Sequence, residues 1–273
     1  MREAQVKMIE ALGSPFMQKA FIAGILVSLL TGIISAFIVL RKMSFIGAGI
    51  SHAAFGGVAI GFFTGINPLF TAIVYSILIA IGIEATGRKG RISEDVSIGI
   101  FYSVSMALGI ALVSLSKSYN VDLFGYLFGN ILAITAADIA LTVIVTAAVA
   151  GMMLVFLKEF FLITYNEELA SVSGIRVKLL NTLFLVALSL SIVVSIRIVG
   201  IIMVSALLVI PGATARLFAK SLLSMIVLSC ITGTASVILG LFLSYQYNVA
   251  PGAGIVLTAA VIFFVPLLLK KRT

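Results

Sequence analysis

Long apolar runs separated by short polar breaks repeat along the chain, at 19–40, 45–65, 68–86, 94–116, 135–157, 179–197, 199–216, 221–244 and 251–269. Each is close to the roughly 20 apolar residues that a helix needs to span the hydrocarbon core. The pattern predicts an all-α, polytopic membrane helical bundle of about nine transmembrane helices, forming a single transmembrane domain over 1–273. Pro211-Gly212 falls inside the seventh run and predicts a break there. Two further segments do not cross. Val6, Ile9, Leu12 and Phe16 recur at helical spacing and predict an outer interfacial segment over 1–18. The stretch VDLFGYLFGNILA, within 120–134, is too short to cross as a helix and predicts either a re-entrant or an interfacial segment.

Composition sharpens this picture. Of 273 residues, 62% are hydrophobic and 10% charged, against about 45–50% and 25% in soluble domains. The net charge of +8 would suggest nucleic acid in a soluble protein, but the basic residues cluster at the ends of apolar runs, where they act as orientation signals. With nine crossings, thirteen of the 18 Lys and Arg fall on one side and five on the other. That asymmetry predicts an outer N-terminus and a cytoplasmic C-terminus, with no nucleic-acid partner. The first twenty residues lack the apolar core of a cleavable signal peptide. One cysteine, Cys230, permits neither an intrachain disulfide nor a thiolate cluster and reads as a core filler.

Few residues can carry chemistry. His52, the only histidine, lies within the second apolar run. Ionisable groups inside spans face a bundle interior or a watery cavity, so His52 is either a metal or pathway ligand or a hydrogen-bonded structural histidine. Gly57, Gly61 and Gly65, four apart, predict a groove for close helix packing. Ser93-Glu94-Asp95 and Thr135-Ala-Ala-Asp138 read as helix N-termini with a serine cap and a capping box. Asp122, ahead of the short apolar stretch, is an outer-face carboxylate that can attract a cation.

The longest polar passage, YNEELASVSGIRVK from Tyr165 to Lys178, holds a short helix capped by Asn166, with Glu167 and Glu168 in its first turn and Gly174 at its end. It reads as a cytoplasmic docking helix or a plain amphipathic connector. No HExxH, GxSxG or GxxxxGK[ST] motif occurs, so no ATP site of the P-loop kind is encoded and the chain reads as a transport subunit rather than an enzyme. A transporter of this composition runs on an ion gradient or borrows an ATPase.

An ordered set of motifs resembles the membrane permease subunit of zinc, manganese or iron ABC importers, from about Phe16 to Lys271. The set comprises Arg41-Lys42-Met43-Ser44 before Ser51-His52-Ala53, Glu94-Asp95 before Ile98-Gly99-Ile100, and Tyr126 to Leu132. It continues with Asn166 to Ala170 followed by Ser173-Gly174, and ends with Ala206 to Pro211 followed by Thr214-Ala215-Arg216. The resemblance implies a fold similar to type II ABC importer permeases. It also implies a prokaryotic inner-membrane homodimer with its pathway on the two-fold axis, a cytoplasmic ABC ATPase dimer and an external metal-binding protein. The metal is then cargo, with no stably bound cofactor. By the same resemblance His52 is a pathway residue, and Asn166, Glu167, Glu168, Leu169, Ala170, Ser173 and Gly174 belong to a coupling-helix region over 164–178. The chain departs from many relatives at Ala48, one turn before His52, where they carry an acid. A gradient-driven secondary transporter of a small cation or solute is the alternative.

Overall fold

The computed structural model describes residues 15–89, 92–116, 129 and 134–269, which form helices and no strands. In chain order they are α1 (Pro15–Leu40), α2 (Ile46–Thr64), α3 (Pro68–Lys89), α4 (Glu94–Leu115), α5 (Ala136–Val155) and α6 (Leu157–Tyr165). There follow α7 (Glu167–Val172), α8 (Val177–Leu207), α9 (Ile210–Arg216), α10 (Leu222–Tyr247) and α11 (Pro251–Leu269). Of the proposed interfacial segment, 15–18 belong to α1 and the remainder lies outside the described residues, as does nearly all of 120–134.

Among the described residues, eight stretches are long and apolar enough to cross a membrane, the longest being Val177–Arg216. That stretch is two passes. Val177–Val199, about 34 Å at 1.5 Å per residue, ends at Gly200, whose φ of 78° and ψ of 167° lie outside the helical region. The chain then turns back: Leu208 packs where a Cβ on Gly47 would sit, at the start of α2, and Ala215 is buried with Ala36 near the end of α1. Arg216 reaches the Val39 carbonyl (3.5 Å), while Asn181, in the opening turns of α8, meets Arg41 just past the end of α1. Both ends of the stretch therefore lie on one face, called here the Arg41 face. The described residues pass nine times between faces, as the hydrophobic pattern predicts.

The seventh run differs from the expectation in detail. The break falls at Leu208-Val209, and Pro211 stands in the first turn of α9, where it lacks only an amide that would have no helical partner. The next amide, on Gly212, donates to Ser35 Oγ of α1 (2.9 Å). Gly212 must be a glycine, because a Cβ would lie 2.5 Å from that hydroxyl.

Packing joins α1 to α10 and α2 to both α3 and α4 most extensively. Small residues allow the close approach: Gly32 of α1 faces the Cys230 backbone, and Gly57 of α2 faces Ala72 of α3. Gly61 continues the second contact against Pro68 and Thr71, but Gly65 does not. Gly65 is instead the left-handed C-cap of α2 (φ 74°), with nothing near its would-be Cβ, so the expected three-glycine groove has two members. Ser28 Oγ and Thr234 Oγ1 share a hydrogen bond between α1 and α10 (3.0 Å). The outward faces of the spans remain apolar, as a lipid-facing bundle requires: Leu78, Val104, Ile144, Leu154 and Leu257 are all exposed.

Candidate functional site

Chemistry gathers in two regions. The first lies inside the bundle on α2, where His52 is half-buried and meets Tyr102 of α4 edge-on, with ring centroids 4.5 Å apart and planes at 76°. Its Nδ1 is buried and makes no hydrogen bond to a described residue. The neighbouring Ser51 is fully buried. Among the described residues no three His, Cys, Asp or Glu side chains gather around a common point, so one chain offers an isolated imidazole. Asp122 lies outside the described residues.

Beside Tyr102, α4 leaves an uncovered stripe of Gly99, Ser103, Ala107 and Ala111, spaced by four. Nothing stands within 4 Å of where a Gly99 Cβ would be. A helix face this flat lets another helix come close.

The second region is on the Arg41 face. Asn166 adopts an extended conformation and its Oδ1 accepts from the Leu169 amide (2.9 Å), which caps α7 as the sequence predicts. Glu167 and Glu168 occupy the positive end of the helix. Ser173 Oγ donates to the Leu169 carbonyl (2.8 Å). Gly174, at φ 80°, closes the helix: its amide donates to Ser171 and that of Ile175 to Ala170, the paired bonds of a Schellman ending. Only Ala170 is buried; Leu169, Val172 and Tyr165 present apolar surface to the outside. A cleft of about 750 Å³ lies alongside, lined by Glu167, Glu168, Ser171, Arg176, Lys178 and Leu179.

Helix α7 is tied into the bundle. Glu167 Oε1 accepts from Asn181 Nδ2 (3.4 Å), and Asn181 Oδ1 accepts from Arg41 Nη1 (3.0 Å). Arg41 Nε donates to Thr164 Oγ1 (3.2 Å), and the guanidinium lies 4.6 Å from the Phe184 ring centroid. On the opposite face Asp138 completes the capping box with Thr135 and also pairs with Arg197 (3.1 Å), just before the Gly200 reversal.

The structure therefore brings the Asn166–Gly174 residues together and sets His52 apart from them, deep in α2. Sequence reasoning missed Tyr102, Arg41 and Asn181. Arg41 was visible as one of a basic pair at the end of a span and as the start of the Arg41-Lys42-Met43-Ser44 motif, but not as a partner of Asn181. Its partner lies 140 residues away, a proximity that no local pattern encodes.

Residues 13–270 match the ABC 3 transport family. The manganese transport system membrane protein MntC of Listeria monocytogenes is 42% identical over 257 residues, covering 94% of this chain and 91% of that protein. The manganese import system permease protein ScaB of Streptococcus gordonii is 41% identical, covering 94% and 92%. Among solved structures, PsaBC from Streptococcus pneumoniae in complex with Fab superposes with a TM-score of 0.85 at 41% identity, covering 95% of this chain and 94% of that one. An inward-facing metal-chelate type ABC transporter, at 16% identity and a TM-score of 0.68, shares the fold. The resemblance to metal-cation ABC permeases read from the ordered motifs is thus borne out, and the chain belongs to the ABC 3 transport family.

Proposed function

We propose that this multi-pass membrane protein is the permease subunit of an ABC importer for a divalent transition metal, with manganese as cargo. It works as a homodimer in a prokaryotic inner membrane, with a cytoplasmic ATPase dimer on the Arg41 face and an external binding protein on the Arg197 face. The observation that carries this reading is α7: a short helix, capped at both ends, with two acids and two exposed apolar side chains, flanked by the exposed Tyr165 of α6, on the face that gathers Arg41, Lys158, Arg176, Lys178, Arg216 and Lys220. A rigid, exposed helix on the basic side of a membrane bundle is suited to receive a soluble partner.

The cargo site is read from His52. A lone buried imidazole makes a weak ligand set, but a second copy packed on the open stripe of α4 brings a second His52 toward the same axis. Manganese stands low in the affinity order of divalent metals, so a site of few donors lets it leave as readily as it enters. Two relatives named for manganese transport support the choice of manganese.

The test is attachment. Glu168→Lys reverses a charge on the exposed first turn of α7, and reversals at interfaces cost several kcal/mol, about a hundredfold or more in affinity. The variant permease should purify as a folded dimer that has lost most of its ATPase. Full ATPase recovery with normal metal-stimulated hydrolysis would remove α7 from the docking surface.

A further inference from the structure

Building on the permease reading, we infer that Arg41 is a positioning residue that joins the docking helix α7, through Asn181, to the turn from which the His52 helix starts. Arg41 stands immediately after α1, and the turn it opens is stiff. Lys42 holds a left-handed conformation (φ 59°), Met43 N–H donates to Ile38, and α2 begins at Ile46, within two helical turns of His52.

The chemistry of the link fixes its direction. A guanidinium can only donate and a carboxylate can only accept, so a group between them must present an oxygen to one and an N–H to the other. Asn181 does this, with Oδ1 toward Arg41 and Nδ2 toward Glu167. The guanidinium is set against Phe184 and Phe160, which pack edge to ring with Phe37 at centroid distances of 5.9–6.2 Å, all three fully buried. Arg41 therefore cannot shift without its platform and its turn. The exposed Asn181–Glu167 bond is the longest member (3.4 Å) and, beside the buried Ala170, one of the points at which α7 engages the bundle. Displacement of α7 reaches α2 while the link holds. When it is broken, the ATPase binds and hydrolyses ATP but its stroke is not delivered.

The experiment uses the complete complex in proteoliposomes and measures manganese transported per ATP hydrolysed. Asn181→Leu removes both bonds. Asn181→Asp, which is isosteric, keeps an acceptor for Arg41 and repels Glu167. Both should retain ATPase attachment and basal hydrolysis while transport per ATP falls about tenfold, the equilibrium weight of one charge-assisted hydrogen bond. Combining Asn181→Asp with Glu167→Gln restores a donor facing an acceptor and should recover the ratio to that of Glu167→Gln alone, which keeps an acceptor for Asn181 Nδ2. Unchanged transport per ATP in Asn181→Asp, loss of ATPase attachment in that variant, or no recovery in the combined variant would each overturn the inference. A wild-type complex that shows no manganese-dependent hydrolysis would instead overturn the permease reading itself.

Discussion

At His52 a polar nitrogen is buried without a partner among the described residues, and leaving such a group unsatisfied costs about 1–3 kcal/mol. Retaining it is explained if the nitrogen meets cargo or the second copy. His52→Leu keeps the bulk and removes the donor atom. Uptake at limiting manganese should fall at least by the roughly tenfold that loss of a mere outer-shell partner causes, while dimer assembly and ATPase attachment persist. Unaltered uptake would make His52 a structural residue. The histidine was legible in the sequence because it is single and sits inside an apolar run. Its edge-on partner Tyr102 was not, because that contact depends on how α2 lies across α4, with Gly56 against the Ser105 backbone and Gly109 against Phe55.

Among the elements, α8 shows where local pattern stops being informative. Its apolar run reads as two spans because Arg197 interrupts it, but the reversal itself is made by Gly200, whose φ of 78° and ψ of 167° only glycine adopts without strain. Gly129 packs against the Val199–Gly200 backbone, and a Cβ on it would clash there. Gly200→Ala should therefore destabilise the fold by about 1–3 kcal/mol, seen as a lower unfolding temperature in detergent. An unchanged transition would mean that the bend is not held at this residue. Helix α7 lies at the other extreme. Its cap, acids and terminal glycine are all local signals, so its start, end and exposed face were readable from fourteen residues, Tyr165 to Lys178. Its tie to Arg41 was unreadable, since that bond exists only after α1, α6 and α8 have packed.

For the whole molecule, hydrophobic periodicity sufficed to count nine passes, and the comparisons bear out the family that the ordered motifs suggested. Nine passes put Pro15 and Leu269 on opposite faces. With α7 on the ATPase side, a cysteine at Val172 should react with an impermeant maleimide only from the cytoplasm and one at Tyr247 only from outside; both positions are well exposed. The reverse pattern would invert the assigned orientation. The central claim, ATP-driven import of manganese by a permease that borrows its ATPase, is tested most directly by uptake of radioactive manganese into proteoliposomes holding the permease and ATPase, with binding protein and metal outside and ATP sealed inside. The account predicts uptake that requires internal ATP and continues when every ion gradient is collapsed by ionophores. Uptake by the permease alone, driven by a proton or sodium gradient without ATP, would contradict it.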